Sequence, residues 1–540
     1  MLKNLYSQFK WPLLISSIAS AACAVFGVLT IAAVHQVLAL AELNKTVLLN
    51  ALLFAFLLFC TGVVSQLIFN RVAQNIMYQL RAMLVKRILD TSSEVIEQIG
   101  RAKIMSALTA DVPALSNFFT ILPFCFYHGL LLLGGFAYLA YLSPQLAVSC
   151  FLLLVCGYGA TFVLLKRMNA IKHQARYQQD QVYEGFCAAV DGHKEMTLNS
   201  IRRQRFYQMD FLKSALAVKQ FNIRSFDYWV LSGNWGVFLV LATICALFYL
   251  SEWFAVDMSE LIGFALVLFF LRTSLQEVFS LIPTVMDAKV AYRKIQSLNF
   301  AEYSTEFFAS AKQSPNPFPI KLEGVTYHYK GSNGVFSLGP IDFTLKQGEV
   351  VFIVGGNGSG KTTFAKLLTG SYTPTRGQIT CGNDLIGNDT ELVECYKSNF
   401  SIVYSQYFLF ERLVGPKGAP DEALVIELLF KMRMDKLSQI EKQRFTEVFL
   451  STGQQKRLAL INAIAEMRPI LVLDEWAAEQ DPEFKHYFYR TLLPYLKQLG
   501  FTLVLISHDD HYFDCADRVI KFQDGTAYEL AKSDQTALYS

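Results

Sequence analysis

Little in this sequence could build a disulfide framework or a thiolate metal site. The ten cysteines form no C-x-x-C pair and follow no regular spacing. Several of them (Cys23, Cys60, Cys150, Cys245) sit in apolar runs, where cysteine behaves as a small hydrophobe. Charge is also scarce. Asp, Glu, Lys and Arg make up 17% of the chain and the net charge is only +3, too small to argue for a nucleic-acid partner. What the sequence has instead is hydrophobic residues, at 53%, gathered into long runs between Trp11 and Pro283. After Ile320 the composition becomes that of a soluble α/β protein, and 540 residues exceed one ordinary domain.

The opening stretch, MLKNLYSQFKWPLLISSIASAACAVFGVLT, imitates a signal peptide but is too long for its apolar region, so it reads as a first membrane span. A helix needs about 20 apolar residues to cross a bilayer. Six stretches qualify: 11–39, 47–70, 116–141, 145–166, 228–250 and 260–283. Short loops join the first and second, third and fourth, and fifth and sixth spans. The two longer gaps are polar with a helical pattern, as in RVAQNIMYQLRAMLVKRILD. At about 1.5 Å per residue, such arms carry each helix pair well beyond the membrane. These arms hold Arg71, Arg81, Lys86, Arg87, Arg101 and Lys103, then Lys172, Arg176, Lys194, Arg202, Arg203 and Arg205. The last short loop, SEWFAVDMSE, has acids and no base. Positive residues stay inside, so the arms, both termini and the second domain are expected in the cytoplasm of a multi-pass cell-membrane protein.

A few polar residues fall within the spans. His35 and His128 are expected to be packed and satisfied by neighbouring helices. Arg272 and Glu277, in the sixth span, are the candidates for a cavity that handles a polar or anionic solute, because an intramembrane ionisable group faces a cavity or a partner. The alternatives for these two are an ion pair that locks two helices together, or a span that ends before them.

Ser304–Pro319 is rich in Ser, Pro and Asn and reads as a linker. The domain boundaries expected are therefore 1–303, 304–319 and 320–540. EVVFIVGGNGSGKTTFAKLLTG then reads as strand, glycine-rich turn and helix, with Gly355–Thr362 matching G-x-x-x-x-G-K-[ST]. Gly355, Gly356, Asn357, Gly358, Ser359, Gly360, Lys361, Thr362 and Thr363 are the candidate nucleotide ligands. Backbone N–H groups surround the phosphates, Lys361 supplies a point charge and Thr362 a hydroxyl for Mg²⁺. PILVLDEW is a buried strand ending in Asp474, placed to hold Mg²⁺, and Glu475, placed to polarise the attacking water. FTLVLISHDD ends on His508, within reach of a γ-phosphate, and Gln406 follows another apolar strand. FLSTGQQKRLAL (Phe449–Leu460) opens a second helix whose start, at Ser451, is a further anion site.

Together these residues resemble the ABC transporters. The resemblance covers the whole chain and is to a half-size ABC exporter: an all-α, six-helix transmembrane domain followed by an α/β P-loop ATPase domain. It implies ATP and Mg²⁺ as cofactors. It places Tyr329 on adenine, Gln406 in the Q-loop beside Mg²⁺, and the signature at Leu450–Gln454, with Thr452 where the family usually has Gly. Within the signature, Ser451, Gly453 and Gln454 would meet nucleotide. Glu475 would be the catalytic base, Asp481 the D-loop acid and His508 the switch histidine. In this family the signature of one subunit caps ATP on the P-loop of the other, so an obligate homodimer with two active composite sites is implied, with a heterodimer as the lesser option. LSTGQQKRLAL, LDEWAAEQDPEF, ISHDDHYFDCADRVI and DGHKEMTLN further resemble bacterial exporters of cyclic peptides, lasso peptides and siderophore precursors. Trp476–Gln480 replaces the usual Ala-Thr-Ser-Ala-Leu, and the loop before the signature is reduced to FTEVF, with Glu447 left to serve. The implied function is ATP-driven export of a peptide-like or siderophore-like cargo by alternating access, in contact with membrane lipid. Short helices near Thr91–Met105 and Asp191–Asn199 would transmit the nucleotide state. No Cys/His domain precedes the first span, so cleavage of a cargo leader is not expected. The rival readings are a lipid flippase or multidrug exporter, a non-transporting ATP-gated regulator of another class, and a soluble ATPase on a membrane anchor, for which six spans with arms are far more than anchoring needs.

Overall fold

The structure is a computed structural model that describes residues 2–39, 45–254, 256–303, 317–331, 334–387 and 389–531. The chain divides into two compact units. The first comprises Met1–Asp90 and Ile99–Tyr303; the second comprises Thr91–Gln98 and Ser304–Ser540. Most of the expected linker, residues 304–316, lies outside the described residues.

The first unit is helical. Its long elements are α1 (Leu2–Ala39) and α2 (Lys45–Asp90). Two short helices follow, α3 (Ser93–Ile99), which groups with the second unit, and α4 (Arg101–Ser106). Next come α5 (Val112–Leu142) and α6 (Pro144–Asp191), then the short α7 (His193–Leu198) and α8 (Ser200–Arg205). Last are α9 (Leu212–Phe254) and α10 (Met258–Ser297). Six of these helical stretches are long and apolar enough to cross a membrane. Helices α2, α6, α9 and α10, of 46, 48, 43 and 40 residues, run on well past the length a bilayer needs. Apolar side chains such as Phe56, Phe59, Leu133 and Leu152 point outward, as they do in a protein whose solvent is lipid.

Without a hydrophobic drive between helices in lipid, close packing and interhelical hydrogen bonds hold them together. Ser20 Oγ and Ser65 Oγ, both buried, lie 2.7 Å apart between α1 and α2. On α6, Gly157 leaves room for Leu239 of α9; a Cβ there would stand 2.0 Å from Leu239 Cδ1. The Gly157 carbonyl also accepts a hydrogen bond from Trp235 Nε1 at 3.0 Å. His35 joins three helices. Its Nε2 donates to the Ser259 carbonyl at 2.8 Å, which leaves Nδ1 to accept from the Tyr138 hydroxyl at 3.0 Å. His128 Nδ1 lies 3.0 Å from Ser274 Oγ. Each histidine thus bonds to a neighbouring helix, and His35 has partners at both ring nitrogens.

The second unit is α/β. Its elements run β1 (Ile320–Gly331), β2 (Gly334–Leu345), β3 (Val350–Gly355), α11 (Lys361–Leu368), β4 (Arg376–Cys381), β5 (Asp384–Ile386), α12 (Thr390–Lys397) and β6 (Phe400–Val403). There follow α13 (Glu422–Lys431), the hairpin β7 (Ile440–Glu441) and β8 (Arg444–Phe445), α14 (Thr452–Ala465), β9 (Ile470–Asp474) and α15 (Pro482–Tyr487). The last are α16 (Leu493–Gln498), β10 (Thr502–Ile506), β11 (Arg518–Gln523) and β12 (Thr526–Glu529). The main sheet has the order β12-β11-β3-β10-β9-β6, with every pair parallel except β11–β12. A smaller antiparallel sheet, β2-β1-β4-β5, packs on it through a shared core that includes Phe343, Val351, Phe364 and Phe522. Strands β3, β9 and β10 are buried on both faces, which is why they read as continuous apolar runs.

Candidate functional site

Parallel strands end on one edge, and ligands of such sheets bind outside the carboxyl ends. The neighbour order β3-β10-β9-β6 sets the P-loop, His508, Asp474–Glu475 and Gln406 side by side on that edge. The P-loop needs glycine where the chain enters left-handed backbone. Gly355, Gly358 and Gly360 have φ of 147°, 78° and 105°. A Cβ on Gly355 would also lie 2.2 Å from the Phe522 carbonyl. Lys361 opens α11 and folds back, donating from Nζ to the Gly355 and Gly356 carbonyls at 2.8 and 3.0 Å. Burial pushes the Lys361 amine below its usual pKa, while the charges of Glu475 and Asp474 oppose that. Gly356, Asn357 and Gly358 are exposed at the mouth of the loop, and Ser359 and Gly360 are buried, with Thr362 and Thr363 half-buried behind them.

Asp474 is 0% exposed, and among the described residues neither carboxylate oxygen has a hydrogen-bond partner of good geometry. Burial, and then the charge of Glu475, push its pKa up; Ser405 and the Thr362 hydroxyl pull the other way. A buried carboxylate beside the P-loop threonine fits the oxygen donor set of Mg²⁺. Glu475 takes a left-handed conformation, φ 51° and ψ 35°, uncommon for a residue with a Cβ. Its Oε1 lies 3.3 Å from His508 Nε2, at the end of β10. Gln406 is exposed beyond β6.

The signature forms a separate cluster. Ser451 caps α14, and Gln454 Oε1 accepts the Ser451 N–H at 3.0 Å. A Cβ on Gly453 would approach the Glu479 carbonyl to 2.9 Å, so the first turn of α14 lies close against the segment before Asp481. Gln480 Nε2 donates to the Gly453 carbonyl at 2.9 Å and Gln480 Oε1 accepts from Arg457 Nε at 2.8 Å. Arg457 also donates to Asp481 at 3.0 Å and lies over the Phe484 ring. Asp481 caps α15 through the Phe484 N–H, which, with Arg457, holds its carboxyl below the usual range. Among the described residues, no hydrogen bond or ion pair links Ser451, Gly453 or Gln454 to the P-loop. Glu447 accepts the Phe449 N–H at 2.7 Å. Tyr329 is in β1, but its side chain lies outside the described residues.

The structure does not bring Arg272 and Glu277 together as a pair. Arg272 is half-buried and Glu277 exposed, both on α10, five positions apart and so not on one face. A cavity of about 570 Å³ between α5, α6 and α10 is lined by Phe126, Phe136, Phe151, Tyr158, Leu275 and Phe279 among others, all but Tyr158 apolar, and neither Arg272 nor Glu277 lines it. The polar cavity expected from these two residues is thus not this one.

Two features were beyond sequence reasoning. Residues of α3 contact the nucleotide domain: Lys366 Nζ, on the P-loop helix, lies 2.8 Å from Glu97 Oε1, and the Tyr372 hydroxyl donates to Glu97 Oε2 at 2.7 Å. Tyr327 donates to Glu94 at 2.9 Å. A short helix in this part of the arm was expected; its partners were not. The second is the link of Lys456 and Trp476 behind Glu475, for which the odd residue after Glu475 was the only signal.

A P-loop ATPase fused to a six-helix, membrane-spanning unit is the class this fold and site define. Models of two families match, "ABC transporter" over residues 338–478 and "ABC transporter transmembrane region" over 11–275. ATP-binding protein SyrD of Pseudomonas syringae pv. syringae is 35% identical over 471 residues, covering 84% of this chain and 82% of that protein. A probable amino-acid ABC transporter ATP-binding protein of Haemophilus influenzae is 33% identical over 221 residues, 38% of this chain and 86% of its own. The solved structure of a bacterial Atm1-family ABC exporter with ATP bound shares the fold, with a TM-score of 0.79, 16% identity and coverage of 100% and 97% of the two chains. The chain belongs to the ABC transporters and is a half-size ABC exporter, an ATP-hydrolysing, multi-pass membrane protein.

Proposed function

We propose that two copies of this chain export a peptide-like cargo, such as a cyclic peptide, lasso peptide or siderophore precursor, from the cytoplasm by alternating access. One observation carries the nucleotide half of this reading: Glu475 and His508 meet at 3.3 Å beside the buried Asp474, while among the described residues no hydrogen bond or ion pair links the signature to the P-loop of its own chain. A second copy would supply the missing signature to each P-loop, giving two complete sites. Residues 1–303 form the membrane domain, 304–319 the linker and 320–540 the ATPase domain, with arms, termini and ATPase domain on the cytoplasmic side.

In each site the P-loop amides and Lys361 hold the phosphates, and Tyr329 stacks on adenine. Thr362, Asp474 and Gln406 would hold Mg²⁺, which when bound neutralises phosphate charge. Glu475 orients and polarises the attacking water, and His508 contacts the γ-phosphate. ATP contacts both subunits only in the closed dimer, so its binding favours that state, and hydrolysis releases it. The cargo class rests on the likeness of the signature and D-loop segments to peptide and siderophore-precursor exporters.

The aromatic, apolar cavity favours a second reading, a flippase or multidrug exporter for greasy substrates. The deciding experiment is ATPase activity in lipid nanodiscs with cyclic and lasso peptides, siderophore precursors, lipids and hydrophobic cations. Stimulation confined to a peptide class supports the first reading, and broad stimulation by lipids or cations the second. Glu475→Gln should bind ATP and dimerise while hydrolysing slowly; full turnover would remove Glu475 as the base.

A further inference from the structure

Lys456 lies in the second turn of the signature helix and is 2% exposed, a rare place for a lysine. Its Nζ donates to the Glu475 carbonyl at 3.2 Å and lies 3.5 Å from Glu479 Oε1. The lysine is itself held from behind, because Trp476 Nε1 donates to the Lys456 carbonyl at 2.8 Å. The Trp476 ring is buried and packs on Phe488 at 4.5 Å between centroids. Lysine and tryptophan thus form a reciprocal pair around the residue that carries the carboxylate.

That residue needs holding. A left-handed conformation with a Cβ is costly and persists only where the surroundings over-determine it. Three hydrogen bonds act on the Glu475 backbone. Its N–H donates to the Ile506 carbonyl at 3.0 Å, continuing the β9–β10 ladder. Its carbonyl accepts from the Ala478 N–H at 3.3 Å and from Lys456. Of these three, only the Lys456 bond comes from a side chain, and only it ties Glu475 to the signature helix.

We infer that Lys456 is a positioning residue for ATP hydrolysis: with Trp476 behind it, it fixes the left-handed turn at Glu475 and so aims the carboxylate beside His508. This rests on the reading of Glu475 as the base. In the dimer the same bond joins a helix that faces the partner's ATP to the base of its own site, so a properly seated signature helix and a properly aimed base are one structural condition.

The test uses the full chain in nanodiscs. Lys456→Met keeps the stem and removes the donor. A hydrogen bond from such a group lost at the reacting centre lowers kcat about tenfold. The KM for ATP and the affinity for trinitrophenyl-ATP stay unchanged, because no nucleotide contact is removed. Lys456→Gln, which keeps an N–H donor, recovers part of kcat. In the Glu475→Gln background, Lys456→Met adds no further loss, since a residue that acts only through Glu475 has nothing left to aim. Wild-type kcat in Lys456→Met, a rise in KM with kcat unchanged, or a further tenfold loss in the double variant would each overturn the inference. If Lys456→Met does not fold, Trp476→Phe carries the test: it removes the Nε1–H bond, keeps a ring against Phe488, and should lower kcat alone. Full turnover in Glu475→Gln by itself would instead refute the base, a different result from failure of the lysine.

Discussion

Replacing Glu97 with glutamine removes one charge from a contact that bridges 269 positions of sequence, between α3 and the helix that carries the P-loop lysine. In the native protein Lys366 Nζ donates to both Glu97 oxygens at 2.8 and 2.9 Å, and the Tyr372 hydroxyl donates to one of them at 2.7 Å. Fully buried, three such bonds to a charge would be worth about 1.5–3 kcal/mol each. They are not buried: the Glu97 side chain is 49% exposed and that of Lys366 20%. Exposed pairs are worth only about 0.2–1 kcal/mol, so with the tyrosine bond added the contact merits about 1 kcal/mol. That is about a fivefold change in the docking equilibrium of residues 91–98. Glu97→Gln should therefore speed amide hydrogen exchange in that segment about fivefold and blunt cargo stimulation of the ATPase, with basal turnover kept. Unchanged exchange together with an unchanged stimulation ratio would refute the reasoning. The pH dependence has a definite sign. Burial alone would raise the Glu97 carboxyl, but the Lys366 and Tyr372 bonds and the Lys366 charge hold it below its ordinary value of 4.5. The contact is then complete above that value and is lost only as pH falls through the depressed one, so any pH response between about 6 and 8 comes from other groups.

The remaining predictions concern the membrane unit. Gly157→Ala puts a methyl 2.0 Å from Leu239 Cδ1, and overpacking of this kind costs about 1–3 kcal/mol. Its Tm in detergent should fall and should recover in Gly157→Ala/Leu239→Ala; a wild-type Tm for the single variant would show that α6 and α9 do not need this approach. Arg272→Ala should remove stimulation by an anionic or polar cargo without changing basal ATPase activity, and a full response would eliminate Arg272 as a cargo contact.

Legibility followed the range of the interaction. The six spans were readable because crossing a bilayer demands an uninterrupted apolar run, and the arms because their charge differs from that of the short loops. The P-loop, Asp474, Glu475 and His508 were readable because each is a strand end followed by a residue type that phosphate chemistry requires. Arg272 and Glu277 show the limit of that method. Their cost in lipid is legible, but whether they face each other, a cavity or neither depends on helix rotation, and among the described residues they neither pair with each other nor line the apolar cavity.

By itself the sequence determined the kind of protein: membrane spans, arms, a phosphate loop and the candidate residues for ATP hydrolysis. These depend on local composition and spacing, and short segments carry them whole. Only the tertiary structure decided that strands β3, β10, β9 and β6 lie in that order, so that residues from 355 to 508 share one edge. Only it put Glu97 on Lys366, His35 between three helices, and Lys456 under the backbone of Glu475. The physical reason is common to all four. Such contacts form between segments distant along the chain, and which side chains meet is settled by how strands order, helices rotate and cores fill, none of which a local pattern encodes.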